Sequence, residues 1–331
     1  MDDSKRELLS FKRSDVPKEL LRGPDLLQIA LHTAVDWAII LSCVYLIFNT
    51  DAILYPIWLV LIAGRMHAFG VLIHDLSHLN PKKKPIRFRV LEVLLGYPIG
   101  TTINAMAYHH LRHHRDTLMN SDPYYKINKK CSTPKRLLLT IGKGSIFVLF
   151  WVTRSFIGTL AYYYPKMRTN YARLFLQDVS GKDLTNHEEV IRCCKEDRYM
   201  AAFQLGVLAS ALTFMPSLFY IYYMAWPVAG IFCIYRLLIE HVYDVVEDRS
   251  VYTMIESTFD HHTSLLDQIL IGPRNIGYHC MHHIHPQVGF HHLPALQEWY
   301  LANCKQYRDK YAVELPQKEE RINTNGLEVA Y

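Results

Sequence analysis

The stretch YHHLRHHRDT, residues 108–117, holds four histidines in six positions. Crowded imidazoles repel one another when protonated and bury poorly when nothing binds them, so such a cluster points to a ligand. The pattern recurs along the chain. HDLSH sets His74 and His78 four apart, HHLRHH sets His110, His113 and His114 at i, i+3 and i+4, and HCMHH repeats that spacing with His279, His282 and His283. Twelve of the 18 histidines fall in the windows 74–78, 109–114 and 279–292. Residues three and four apart share a helix face, so each window aims two or three ring nitrogens at one point. That is the geometry a metal requires of neutral histidine. Eight imidazoles are too many for one ion, since zinc takes about four ligands and iron up to about six, so the count implies two metals. By ligand type alone the site suits iron, zinc or copper.

The elements that position these histidines are read from the distribution of apolar residues. The chain has 331 residues and a formal net charge of +5. Its mean hydropathy is 0.00, an average over strongly segregated segments. Residues 27–49, 53–73, 201–224 and 225–239 are almost wholly apolar, and about 20 such residues span a bilayer core. The expected fold is all-α, a polytopic membrane protein with about four transmembrane helices and a cytoplasmic histidine-rich catalytic cap. No cleavable signal peptide is visible in MDDSKRELLSFKRSD. The seven cysteines show neither a disulfide framework nor a Cys-x-x-Cys site. The mild positive charge is explained by membrane topology, so no nucleic-acid partner is expected.

Parity then restricts the topology, because three windows share a site only on one side of the membrane. The run 27–49 goes out and 53–73 returns, delivering His74 and His78. The basic stretch NPKKKPIRFR that follows belongs in the cytoplasm. Residues 90–107 carry Gly96, Pro98, Gly100 and Asn104 and read as an interfacial or re-entrant segment. Residues 137–164 contain Lys143 and Arg154 and are followed by a basic stretch, 165–198, so they read as lying along the interface. Runs 201–222 and 225–240 form a hairpin out and back, with Pro216 and Pro227 around its turn. Residues 1–26 are expected as a cytoplasmic N-terminal segment, 27–310 as the membrane domain and 311–331 as a polar tail.

HDLSH, HHLRHH and NIGYHCMHHIHPQVGFHHLPAL resemble the histidine boxes of the membrane fatty acid desaturases over roughly residues 50–300. Pro286 falls one residue from its usual place in that family, and Gly289 stands where proline is common. The resemblance implies a non-haem di-iron enzyme, with two iron ions and molecular oxygen as co-substrate, that dehydrogenates an acyl lipid or acyl thioester. The same boxes occur in lipid hydroxylases and carotenoid ketolases. A dizinc membrane hydrolase and a non-catalytic receptor with a structural metal are the remaining alternatives. The implied ligands are His74, His78, His110, His113, His114, His279, His282 and His283. His241, in IEHVYD at the end of the last apolar run, completes the set as a ninth. His261 and His262 lie in a polar loop where the family more often has Arg-Thr-Thr. His109, His285, His291 and His292 break the ligand spacing and read as surface or supporting histidines. Asp75, Asp122, Glu240, Asp244 and Asp260 are candidates to orient ligand imidazoles. Arg65 and His67 lie within a span and either pair or line a substrate path, and His32 and Asp36 form an i, i+4 pair in the first span. No haem, flavin or iron–sulfur signature is present, so electrons come from an external donor, a ferredoxin or a small b-type cytochrome.

The parity argument predicts that Lys84→Cys and Lys130→Cys respond alike to an impermeant thiol reagent in intact cells. Reaction at only one of the two breaks it.

Overall fold

A computed structural model describes residues 13–79, 84–124, 133–242, 244–261 and 264–311. Lys130, His262, residues 1–12 and the tail beyond Tyr311 lie outside these. The described residues form helices and connecting turns with no strand, and one isolated bridge joins His241 to Thr258.

Asp25 starts α1 (Leu26–Asn49), its carboxylate accepting from Leu27 N at 2.8 Å. After a one-turn 3-10 stretch, α2 (Tyr55–Leu79) returns and carries the first histidine pair in its final turns. α3 (Ile86–Leu91) winds through a π turn (Glu92–Gly96) and a 3-10 turn (Tyr97–Ile99) to Gly100, whose φ of +73° reverses the chain into α4 (Ile103–Asp116). The segments Ile86–Ile99 and Ile103–Asp116 meet at 76°. α5 (Thr133–Ser145) and α6 (Phe147–Tyr163) form a second bent pair, and α7 (Arg168–Phe175) leads to α8 (Glu188–Phe214) and α9 (Pro216–Ile239). Short helices follow: α10 (Val251–Ser257), α11 (Leu265–Leu270), α12 (His279–Ile284), α13 (Leu293–Asn303) and α14 (Lys305–Tyr311).

Among the described residues three helices, α1, α2 with its leading turn, and α9, are long and apolar enough to cross a membrane. The number rises to five if each bent pair is one span. Only 28% of the apolar window of α1 and 17% of that of α9 are buried inside the protein. Side chains such as Leu31, Leu41, Tyr220 and Met224 are exposed in a way lipid accommodates and water does not. The last hairpin differs from the sequence reading. Its turn is at Met215 alone: Pro216 starts α9, where its missing N–H costs nothing, and Pro227 sits inside α9. The apolar run from 201 is the second half of a longer helix, α8, whose first half is polar.

Buried charges lock the layers together. Asp36 of α1 accepts from Arg65 of α2 at 3.1 Å and from Arg274, and Arg65 also donates to the Ile269 carbonyl. The expected His32–Asp36 pair is thus replaced; His32 instead meets the Phe290 ring edge-on. Glu92 accepts from Lys84 at 2.7 Å and from Ile103 N at 2.7 Å, fixing where α4 starts. Arg154 of α6, fully buried, donates to Asp197 of α8 at 3.0 Å, and Tyr171 donates to the same carboxylate at 2.6 Å. Breaking such a pair strands a buried charge.

Gly158 is where α6 meets that pair. A Cβ there would lie 2.1 Å from Asp197 Oδ2, so Gly158→Ala must displace a fully buried carboxylate. Thermal unfolding in detergent should show a loss of about 3 kcal/mol or more. Gly206→Ala, facing open space, should be neutral or gain up to about 1 kcal/mol. Equal melting temperatures for the two would count against this packing.

Candidate metal centre

Four elements deliver the histidines. α2 ends with His74 and His78. α4 carries His110, His113 and His114; Thr102 caps it through Ala105 N at 3.2 Å, setting its helical phase. His241 follows α9 directly and is held by its bridge to Thr258. α12 carries His279, His282 and His283, and its start is fixed by Asp260, whose Oδ1 accepts from Cys280 N at 2.7 Å while Oδ2 accepts from Gln297 at 3.0 Å and from Tyr307.

All nine histidines meet in one buried region, in two adjoining groups. One nitrogen each from His74, His78, His110, His114 and His282 lie within 4.8 Å of one another. His114 Nε2 is 2.7 Å from His110 Nε2 and 2.9 Å from His282 Nε2, and His78 Nε2 is 3.0 Å from His110 Nε2. His113, His241 and His283 form the second group under the same limit, and Glu240, His241 and His279 a third that shares His241. His241 Nε2 is 3.3 Å from His283 Nε2 and 3.2 Å from His279 Nε2. The division corrects the reading that each window converges on one point. In HHLRHH, His110 and His114 serve one group and His113 another; in HCMHH, His282 serves the first, His283 the second, and His279 the third, which overlaps the second at His241. Consecutive residues are turned by about 100° on a helix, so the two rings of a His-His doublet leave in different directions, and the packing of the helices decides which group each joins.

The donor chemistry fits metals at both. A neutral imidazole has one N–H and one lone pair. His113 Nδ1 donates to Asp122 at 2.8 Å, and His283 Nδ1 lies 3.2 Å from Thr117 Oγ1, whose own proton goes to the His113 carbonyl at 2.8 Å. His279 Nδ1 sits 3.4 Å from Glu240 Oε1, within ion-pair reach though not aligned as a hydrogen bond. With the protons held on Nδ1, the Nε2 lone pairs converge. Burial first, then the neighbouring imidazoles, pushes His279 and His283 well below the usual histidine range, so both are neutral and carry lone pairs at neutral pH.

His261 is differently placed. Its Nε2 is 3.0 Å from Glu240 and its Nδ1 3.3 Å from Asp267. Burial opposes its charge, but the bonds to Asp267 and Glu240 outweigh it and raise the ring to about 9, so both nitrogens carry protons. Among the other expected helpers, Asp122 and Glu240 reach ligand histidines. Asp260 acts on the α12 backbone, and Asp75 is buried in α2. His109 is buried with Nδ1 2.6 Å from Tyr124 Oη, His285 is buried against Tyr300 at 2.7 Å, and His291 and His292 are partly exposed. Two supports escaped sequence reasoning. Thr117 follows His113 by one helical turn, a signal that was available; Tyr124 arrives by a loop that no spacing announces.

A cavity of about 500 Å³ opens against both groups. Its lining includes His74, His110, His113, His241 and His279 together with Val71, Ile99, Met106, Phe150, Trp226, Ala229 and Ile234. Fold and site together define a helical protein of membrane character in which three histidine boxes converge on two adjoining candidate metal positions beside an apolar cavity. Residues 51–314 match the sequence model described as fatty acid desaturase, and the chain belongs to that family. No curated protein matches its sequence.

The two-group geometry predicts a difference between neighbouring histidines. His241→Ala should lower the metal bound per chain by about one ion by the ligand count, while His261→Gln should leave it unchanged. Elemental analysis of both folded variants decides between them: full metal in the first with depleted metal in the second would reverse the assignment.

Proposed function

We propose that the protein catalyses oxygen-dependent desaturation of a fatty acyl chain at a di-iron centre ligated by His74, His78, His110, His113, His114, His241, His279, His282 and His283. The observation that carries the reading is the cavity, whose apolar walls end on histidines of both groups. Two irons held there would supply oxygen activation and the oxidising power to break an unactivated C–H bond. The chain's own residues do the rest. Val71, Ile99, Phe150, Trp226 and Ile234 hold an alkyl segment and keep water from it. Asp122, Thr117 and Glu240 keep the ligand rings in one tautomer and orientation. Electrons reach the site from an external donor, a ferredoxin or a small b-type cytochrome.

Parity of crossings together with the basic residues that follow α2 supports an active site on the cytoplasmic side. α2 and α9 both end at the histidines, so the number of crossings between them is even. α8 therefore crosses outward and α9 returns, making four crossings with α1 and α2, while the bent segments 86–116 and 133–163 enter without crossing. Lys84, Arg87 and Arg89 then fall on the cytoplasmic side. Residues 27–310 form the membrane domain in this reading.

A lipid hydroxylase or ketolase uses the same histidines, and a dizinc hydrolase would use the same donors. Lipid profiling of cells expressing the chain, against a His283→Ala control, tests the proposal under labelled oxygen. The expected product is an acyl chain with one more double bond, no label in the lipid, and loss of the product in the control. Label in the lipid would point to hydroxylation or ketolation, and activity with zinc alone would sink the di-iron reading.

A further inference from the structure

The cavity wall is not apolar throughout. Arg236 of α9 lines it one turn before Glu240. Among the described residues the guanidinium has one partner, Glu240 Oε1 at 3.5 Å from Nε, and that contact is not aligned as a hydrogen bond; Nε and Nη1 are buried and unbonded. His67, on the neighbouring helix α2, also lines the cavity and is 5% exposed. Its Nδ1 is 2.9 Å from the Leu270 carbonyl. A carbonyl only accepts, so the proton sits on Nδ1 and Nε2 keeps a lone pair, for which no described residue supplies a partner. Arg236 and His67 therefore line the same cavity as the ligand His279. A plain hydrocarbon packed here would leave a donor and an acceptor desolvated without return.

We propose that Arg236 and His67 form a polar subsite that holds a hydroxyl group of the substrate chain beside the metal centre. A hydroxyl is the group that satisfies both, since it accepts from the guanidinium and donates to Nε2. A ketone oxygen would serve Arg236 alone. A carboxylate would set its lone pairs against that of Nε2 and add a second anion to Glu240. The substrate is then a hydroxylated lipid chain rather than an unsubstituted one, with its hydroxyl near the carbons that react. This inference rests on the lipid-chain reading of the cavity.

The test is equilibrium binding to the iron-loaded full chain in nanodiscs, without oxygen or electron donor so that nothing turns over. Methyl octadecanoate and its positional hydroxy isomers compete with a pyrene-labelled acyl ester. At least one isomer should bind about tenfold or more tighter than the parent ester. Arg236→Gln should bring that isomer to the parent's level without changing the parent's own affinity, and His67→Phe should reduce the preference. Wild-type iron content in each variant shows that the site is intact. Binding of all isomers within about twofold of the parent, the result expected if water fills the notch, overturns the subsite and leaves the lipid reading standing. So does a preference that survives both substitutions. Failure of every chain, parent included, to displace the probe overturns the lipid reading and the subsite together. The wild-type comparison decides the matter even if a variant does not fold.

Discussion

A buried imidazole has to satisfy two nitrogens, and this fold buries eight of its nine candidate ligands almost completely. In His113 and His283 one nitrogen meets a carboxylate or a hydroxyl, whereas Nδ1 of His74, His114 and His279 is buried without a hydrogen bond among the described residues. Neighbouring Nε2 atoms converge at distances of 2.7–3.3 Å, where lone pairs repel unless a cation or a shared proton lies among them. Desolvation disfavours the charged form of a buried ring, which prepares the lone pairs and makes their close approach costly unless a cation joins them. The surrounding structure is organised around holding that costly arrangement in place.

The ion pairs serve this constraint at a distance. Glu92 fixes where α4 begins and so the angle at which His110, His113 and His114 emerge. Asp36, Arg65 and Arg274 tie α1 and α2 to the segment leading into α12, and Asp260 fixes the α12 start itself. Each is a buried polar contact whose single removal would strand a charge, so these positions define relative helix placement more than net stability. Arg274, at φ 58°, and Asn275, at φ 59°, take the left-handed backbone that this tight approach requires.

Chemistry and substrate access meet at one wall. α2 and α9 end beside His74 and His241, which line the cavity together with His110 and His113 of α4 and His279 of α12, so the apolar wall and the metal-type donors meet there. Arg236 and His67 interrupt this apolar wall.

The sequence by itself determined the residue types and their local spacing. The nine histidines, the helices that carry them, the apolar runs and even the bend at Gly100 are written in short-range patterns of three to four residues or in conformational limits of single residues. His241 was legible from its position at the end of an apolar run, and Asp122 and Glu240 from their nearness to ligands. What only the tertiary structure decided is how the boxes divide. That His113 leaves its own box to join His241 and His283 depends on the angle between α4, α9 and α12, which no local period encodes. The same holds for Tyr124 on His109 and for Arg274 displacing His32 as the partner of Asp36. These pairs lie from 15 to more than 200 residues apart in the chain, and the contacts that join them exist only after the helices have packed.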